Sequence, residues 1–206
     1  KAAAESVRAA EAAMSSLNKV ASEVMVRHGA SACTDVTGFG LLGHLCRVVM
    51  ESGVTVEIWF DRLPLLPGTM EYAGQGIYSG ANERNADYSA ARTVFSAGMT
   101  EAMKAVLFDP QTSGGLLMAV PDGNADAVLA ELHGAGVAQA AVIGRVVEKS
   151  EGLIRVVAHT GQGDVKPRVT KTSGRGIECG SSSVCRHVDM EGQGAEDSGT
   201  DNLRKQ

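Results

Sequence analysis

The first apolar pattern in the chain covers residues 2–27, where apolar side chains recur every three or four positions. The positions that share this spacing are Val7, Ala10, Met14, Leu17, Ala21 and Val24. Charged residues mostly fall between them. Because such spacing is typical of an amphipathic helix, we predict one long helix over residues 2–27.

A glycine cluster begins the second pattern. Residues 28–37 are mostly small or polar and are predicted to form a loop, and the glycine-rich residues 38–43 then lead into apolar positions at helical spacing. Thr37 is the predicted N-cap of this helix because its hydroxyl can accept a bond from an amide of the first turn. We expect Gly53 to end the helix. The alternation over residues 54–60 then predicts a strand with one face in the core.

A long irregular stretch separates this strand from the rest of the chain. Residues 61–90 are interrupted by proline and glycine and are interpreted as a long functional loop. Further along, the pattern predicts helices over residues 98–106 and 123–134 and strands over residues 116–120, 141–147 and 153–157, the last two as a closing pair. This mixture predicts an α+β fold, with helices packed on a mixed or antiparallel sheet.

The apolar pattern ends at Ala158. Glycine, serine, threonine and charged residues dominate from there to Gln206, so we predict one domain over residues 1–158 and a disordered tail over residues 159–206. The chain starts at Lys1, directly in a helical pattern, and we interpret it as cut from something longer.

Composition and charge narrow the function classes. The formal net charge of -5 and the pI near 5.5 give no general attraction to nucleic acid or anionic lipid. No segment approaches the roughly 20 continuous apolar residues that a membrane span needs, and no signal peptide pattern is present. Four cysteines in 206 residues favour a reducing compartment over a disulfide framework. We therefore expect a cytoplasmic protein that binds neither nucleic acid nor membranes.

The first candidate for chemistry is Asp35 followed by Thr37, Gly38, Gly40 and Gly43 at a helix start. Glycines let backbone amides approach an anion closely, and the positive end of the helix dipole favours phosphate there. A nearby carboxylate suits magnesium (Mg2+), which binds through one or two carboxylates together with phosphate oxygens. The alternative is structural: the glycines permit tight packing and Asp35 caps a turn.

The same glycines satisfy the spacing of a dinucleotide fingerprint, with Asp61 near the position of its ribose-binding acid. That fingerprint requires an apolar strand immediately before its first glycine. Residues 29–35 are small and polar, so the pattern disfavours a nicotinamide cofactor.

The second candidate is the segment Asp109–Gly115, in which a carboxylate, Thr112, Ser113 and paired glycines precede an apolar strand. Alone, the segment fits an ordinary turn. Two such loops in one domain favour a shared anion or nucleotide site over either loop alone.

Three further features have weaker functional readings. In the segment Asn82–Asn85, Arg84 has the chemistry of a phosphate clamp, but a solvated turn is favoured. His44 is interpreted as a packed or capping residue and not as a general base. Cys33 is interpreted as a small buried residue and not as a nucleophile.

Two long motifs carry a resemblance to a known family. They are Ala32-Cys33-Thr34-Asp35-Val36-Thr37-Gly38-Phe39-Gly40-Leu41-Leu42-Gly43-His44-Leu45 and Asp109-Pro110-Gln111-Thr112-Ser113-Gly114-Gly115-Leu116-Leu117. Together they resemble the selenophosphate synthetases (selenide, water dikinases) of the aminoimidazole ribonucleotide (AIR) synthetase superfamily. The resemblance covers residues 1–158 and implies an AIR synthase C-terminal-like domain. It further implies a homodimeric phosphotransferase that converts selenide, ATP and water to selenophosphate, AMP and phosphate.

The resemblance also implies roles for individual residues. Asp35 is implied to be a magnesium ligand. The residues implied to shape the nucleotide or phosphate side of the cleft are Thr37, Gly38, Gly40, Asp109, Thr112 and Ser113. The family's N-terminal ATP-binding domain, with its Gly-rich loop, catalytic cysteine or selenocysteine and lysine, is absent from these 206 residues. We therefore assign no catalytic residue in this chain and expect it not to complete the reaction alone.

Two other functions stay open from the sequence. One is a sister ATP-dependent enzyme of the same superfamily, and the other is a non-catalytic dimerisation or nucleotide-binding module.

Overall fold

A four-stranded sheet and a two-stranded sheet, each covered by helices, make up the fold. The computed structural model describes residues 2–159; the predicted tail lies outside them from residue 160 onward. The helices of this part are α1 (Ala4–Ser15), α2 (Lys19–Arg27), α3 (Gly40–Ser52), α4 (Thr69–Gly74), α5 (Asn82–Ser89), α6 (Glu101–Phe108) and α7 (Ala125–Gly134). Its strands are β1 (Ala32–Asp35), β2 (Val54–Trp59), β3 (Thr93–Phe95), β4 (Leu116–Ala119), β5 (Gly144–Lys149) and β6 (Leu153–Val157).

The larger sheet is mixed. Its order is β3-β6-β2-β5, in which β2 pairs antiparallel with β5 and parallel with β6, and β3 pairs parallel with β6. The smaller sheet is the antiparallel pair of β1 and β4. These sheets and their helices confirm the predicted α+β fold.

The main core lies between α3, α6 and one face of the larger sheet. The apolar face of α3 supplies Leu42, Leu45 and Val49, which are at most 3% exposed. These side chains pack with β2 and β6, including Ile58 and Ile154. A second, smaller core joins α2 and α7 through buried Val24, Val128 and Leu132, with Met118 of β4 packed against them. The two cores hold the larger and the smaller sheet respectively.

The helix α3 ends as its sequence predicts. Gly53 has φ of +61°, the left-handed conformation that glycine adopts without steric cost and that commonly closes a helix. The strand that follows agrees with prediction in part: β2 ends at Trp59, and Val56 and Ile58 are buried as expected. Thr55, expected on the other face, is also fully buried.

The predicted single helix over residues 2–27 is wrong. The structure has two helices there, with a break at Ser16–Asn18. The hydroxyls of Ser15 and Ser16 both donate to the carbonyl of Ala12, and such local bonds compete with the helical backbone pattern. None of the residues of α1 is buried, so no core contact holds the two helices in one line.

Two other predictions are also corrected. The stretch predicted as a loop over residues 61–90 contains α4 and α5. The two C-terminal strands do not pair with each other, because β5 and β6 lie on opposite sides of β2. Within residues 2–159, none of the helices is long and apolar enough to cross a membrane.

Candidate functional site

The two motifs singled out in the sequence meet along the ladder between β1 and β4. In this ladder Asp35 is the Cα partner of Leu116. The amide of Val36 donates to the carbonyl of Gly115 at 3.0 Å, and the amide of Gly114 donates to the carbonyl of Val36 at 2.9 Å. The structure therefore brings the two motifs together, as expected for a shared site.

Asp35 is the last residue of β1, and it is exposed. The predicted loop over residues 28–37 is thus partly wrong, because residues 32–35 form a strand. Their small and polar side chains gave no strand pattern, and pairing with the apolar strand β4 supplies what the local sequence lacks. The ladder fixes the backbone of Asp35 while its carboxylate stays in contact with solvent.

A tight turn connects β1 to α3. The amide of Gly40 donates to the carbonyl of Thr37 at 2.9 Å, and the φ of Gly40 is +67°. A Cβ at this position would lie 2.8 Å from the carbonyl carbon of Phe108 and 2.9 Å from its oxygen. Glycine at residue 40 is therefore required by the close approach of the turn to the end of α6.

The prediction that Thr37 caps α3 is wrong. The helix starts at Gly40, with Phe39 in the N-cap position and no capping bond from a side chain. The amide of Thr37 instead donates to Nε2 of His44 at 3.0 Å, and the Thr37 hydroxyl oxygen lies 3.0 Å from the same nitrogen. Since Nε2 accepts from an amide, it carries no proton in this arrangement. His44 thus holds the turn, consistent with its interpretation as a capping residue.

Gly38 lies in the same turn and differs from Gly40. It is exposed, its φ is not in the left-handed region, and a Cβ there would have no atom within 4 Å. Neither the conformation nor the packing within the described residues requires a glycine at residue 38. A glycine that neither conformation nor packing requires is typical of a backbone that a ligand approaches closely.

The loop from Asp109 to Gly115 forms the other side of the candidate site. Thr112 and Ser113 are exposed, and Ser113 has φ of +57°, which is uncommon for a residue with a side chain. A Cβ on Gly114 would lie 2.7 Å from the carbonyl oxygen of Val36. The glycine at 114 thus permits the ladder, and the residues before it face solvent.

Asp109 lies at the end of α6 and is half-buried. Burial raises the pKa of its carboxyl, and the bond donated by Nε2 of Gln111 to Oδ2 at 2.7 Å opposes the rise. The backbone N–H of Gln111 donates to the carbonyl of Thr37 at 3.0 Å. Gln111 therefore connects Asp109 to the turn that follows Asp35.

Asn85 belongs to the segment that the sequence singled out for Arg84, and no role was predicted for Asn85 itself. It lies on α5, is 4% exposed, and donates through Nδ2 to the carbonyls of Gly38 at 3.0 Å and Phe108 at 2.8 Å. The predicted solvated turn over residues 82–85 is wrong, since these residues start a helix; Arg84 lies on its exposed side. The spacing of Asn82, Asn85 and Ser89, all buried, is the helical signal that was available.

Asp35 suits a magnesium ion only as one of several ligands. Within residues 2–159, no group of three or more His, Cys, Asp or Glu side chains is placed to hold a metal ion. Magnesium usually keeps waters and binds through one or two carboxylates plus phosphate oxygens. A single exposed carboxylate beside an open glycine turn agrees with that donor set, and the other ligands have to come from elsewhere.

Comparison with known proteins identifies the class of domain. Residues 2–157 match the family described as AIR synthase related protein, C-terminal domain. The chain therefore belongs to this family.

The similar curated proteins are selenide, water dikinases. The one from Pelobacter propionicus is 42% identical over 144 residues, which cover 70% of this chain and 41% of the relative. The one from Caldanaerobacter subterraneus is 42% identical over 138 residues, covering 67% and 40% respectively. The one from Trichlorobacter lovleyi is 44% identical over 119 residues, covering 57% and 34%. These matches confirm the resemblance to the C-terminal domain of selenophosphate synthetase.

The chain spans about two fifths of the length of the first two relatives, 41% and 40%. Among solved structures, E. coli HypE, a hydrogenase maturation protein, is similar with a TM-score of 0.45 and 20% sequence identity, over 65% of this chain and 34% of that chain. That likeness is too distant to bear on function.

Proposed function

We propose that this chain works as the C-terminal domain of a selenide, water dikinase. The reaction is the conversion of selenide, ATP and water to selenophosphate, AMP and phosphate. The observation that best supports the proposal is the meeting of the two motifs along β1 and β4, in a chain 42% identical to curated enzymes of that name. We further propose that one ligand touches both motifs.

Asp35 is proposed to be a magnesium ligand. Its position at the end of a paired strand fixes the backbone, and its exposure leaves the carboxylate available to an ion. Bound magnesium would neutralise the negative charge that develops on the transferred phosphoryl group. The remaining ligands are proposed to be phosphate oxygens and carboxylates. The carboxylates would come from a segment that corresponds to the part of the relatives that this chain does not span.

The phosphate side of the cleft is proposed to be formed by Gly38, Thr112 and Ser113. All three are exposed, and they offer amide and hydroxyl donors of the kind that bind phosphate oxygens. Thr37 and Gly40 belong to this set as the residues that shape the turn.

Asp109 is proposed to face the same ligand through a bridging cation. Its carboxylate is half-buried with a raised pKa, and a bare carboxylate beside phosphate would be repelled. The proposal therefore does not place Asp109 in direct anionic contact with the nucleotide.

Phosphoryl transfer depends mainly on positioning and electrostatic stabilisation. The proposed contribution of this domain is therefore geometric and electrostatic, and the chemistry requires the N-terminal domain as well. A homodimer, which the resemblance implies, and a cytoplasmic location, which the cysteine content favours, are part of the proposal.

The proposal is tested by measuring selenide-dependent AMP formation by the intact enzyme over a range of magnesium concentrations. The variant is Asp35→Asn, and the matched control is Asp122→Asn, which alters an exposed aspartate outside both motifs. We expect Asp35→Asn to lower the turnover by about 100-fold or more, the scale of losing one preorganised electrostatic contact. The control is expected to stay within about twofold, since exposed sites away from such features tolerate change.

Two results would contradict the proposal. Absence of selenide-dependent AMP formation by the wild-type enzyme would reject the reaction. An unchanged rate and magnesium dependence in Asp35→Asn would reject the assigned ligand.

A further inference from the structure

We infer that Asn85 is a positioning residue that holds the turn at Gly38 and the start of the Asp109–Gly115 loop in a single arrangement. The effect on activity rests on the proposed function. The effect on the two segments themselves does not, since it follows from the bonds that the side chain makes.

One amide group joins two distant parts of the chain. A side-chain amide has two N–H donors, and Nδ2 of Asn85 lies 3.0 Å from the carbonyl oxygen of Gly38 and 2.8 Å from that of Phe108. The first carbonyl belongs to the turn before α3, and the second belongs to the last residue of α6. Asn85 therefore fixes the separation of these two segments.

Burial raises the cost of losing these two hydrogen bonds. Asn85 is 4% exposed, so water does not readily replace either bond. A buried polar group that loses its partner carries the full desolvation penalty, and the low dielectric of the interior strengthens the bonds that are made. Both carbonyls depend on the same side chain, and its removal affects both at once.

The helix α5 touches the turn at a second point. The ring of Tyr88 lies against the ring of Phe39, with centroids 5.6 Å apart. The fully buried hydroxyl of Ser89 donates to the backbone carbonyl of Asn85 at 3.0 Å. The ring contact thus holds the end of α5 against the turn, and the Ser89 bond supports that end from within the helix.

The consequence for the site comes from the neighbouring residues. Asp109 directly follows Phe108, and Gly38 is separated from Asp35 by only two residues. A shift of either bonded carbonyl therefore moves groups that the proposal assigns to the nucleotide and the metal. A misplacement of about 1 Å costs roughly 100-fold in rate in well-ordered active sites.

The competing explanation is that Asn85 only stabilises the fold. Asn82 provides a matched control because it lies on the same helix, is 5% exposed, and donates through Nδ2 to the carbonyl of Ala105 at 2.7 Å. The bond that it makes stays within α5 and α6 and reaches neither motif. Asn82 makes one side-chain bond and leaves its buried Oδ1 without a partner within the described residues, so a purely structural role predicts that Asn85→Ala and Asn82→Ala differ only as their global stabilities differ.

The first readout is hydrogen exchange in the intact protein, which needs no enzymatic activity. The amides of Val36, Gln111 and Gly114 bond between the two motifs and report their alignment. Asn85→Ala is expected to speed exchange of these amides by about tenfold or more relative to Asn82→Ala, because it removes two bonds and a loss of about 1.4 kcal/mol already corresponds to a factor of ten.

The second readout is the steady-state kinetics of selenide-dependent AMP formation. Asn85→Ala is expected to lower kcat/KM for ATP by about 100-fold and to raise the magnesium concentration that gives half the maximal rate. The kcat/KM of Asn82→Ala is expected to stay within about twofold of wild type. All variants are assayed below their unfolding temperatures. Asn85→Ser, which keeps one donor, should recover part of the loss and serves as the deciding variant if Asn85→Ala does not fold.

Equal exchange and equal kinetics in the Asn85 and Asn82 variants would overturn the inference. Inactive wild-type enzyme would reject the proposed reaction alone, since the exchange comparison would still decide whether Asn85 holds the two segments.

Discussion

Replacing Gly40 by alanine tests whether the turn before α3 is held against the end of α6. Gly40 has φ of +67°, and an added Cβ would lie 2.8 Å from the carbonyl carbon of Phe108 and 3.0 Å from the carbonyl oxygen of Asp109. The obstructing atoms are all backbone atoms, so no side chain can rotate away. The substitution must either strain the residue or push the two segments apart.

Three contributions determine the expected loss of stability in Gly40→Ala. The left-handed conformation costs an L-residue roughly 1–2 kcal/mol, and forcing extra volume into a packed contact costs roughly 1–3 kcal/mol. Alanine also restricts the unfolded chain, which returns roughly 0.4–1 kcal/mol. The net expectation is that Gly40→Ala lowers the free energy of unfolding by about 1–5 kcal/mol.

Gly38→Ala is the matched control. Its Cβ would meet open space and its φ is not left-handed, so we expect its free energy of unfolding within about 1 kcal/mol of wild type. Urea unfolding followed by the fluorescence of Trp59, the single tryptophan, measures both variants. Equal stabilities of Gly40→Ala and Gly38→Ala would refute the close packing of the turn against α6.

Two further substitutions test other parts of the structure. Thr55 is fully buried and its hydroxyl has no hydrogen-bond partner within the described residues, so Thr55→Val should raise the free energy of unfolding by about 1 kcal/mol in the same assay; a loss of stability would show that the hydroxyl is bonded. Burial raises the pKa of Asp109, so the folded state favours the protonated carboxyl and stability falls as pH rises from the unfolded pKa through the folded pKa. Asp109→Asn should therefore be more stable than wild type at about pH 7 and should lose most of this advantage at about pH 3, below the ordinary pKa of aspartate; an advantage independent of pH would contradict the burial of the charge.

The long periodic elements of the fold were predictable from the sequence. The apolar face of α3, its end at Gly53 and the alternation of β2 all follow from local spacing, and each has a buried face in the structure. The two motifs also carried enough information to predict that they come together, and they pair along β1 and β4. Local spacing could not predict pairing, which is why β5 and β6 were expected to be adjacent when β2 separates them.

The elements that were missed depend on long-range contacts. The strand β1 is made of small and polar residues, and it is a strand because β4 pairs with it. The helix α5 is polar, and its buried face carries Asn82, Asn85 and Ser89, which pattern reasoning assigns to solvent. Their burial is possible because Asn85 and Asn82 bond to backbone carbonyls that are distant in sequence.

We propose above all that Asp35 and the loop at Asp109–Gly115 face one magnesium–nucleotide complex. A crystal structure of the intact enzyme with magnesium and a non-hydrolysable ATP analogue tests it most directly. We expect an Asp35 carboxylate oxygen at about 2.0–2.1 Å from a magnesium ion, with phosphate oxygens beside Gly38 and Thr112. Magnesium and phosphates held entirely by other residues, with the Asp35 carboxylate out of coordinating reach, would contradict it.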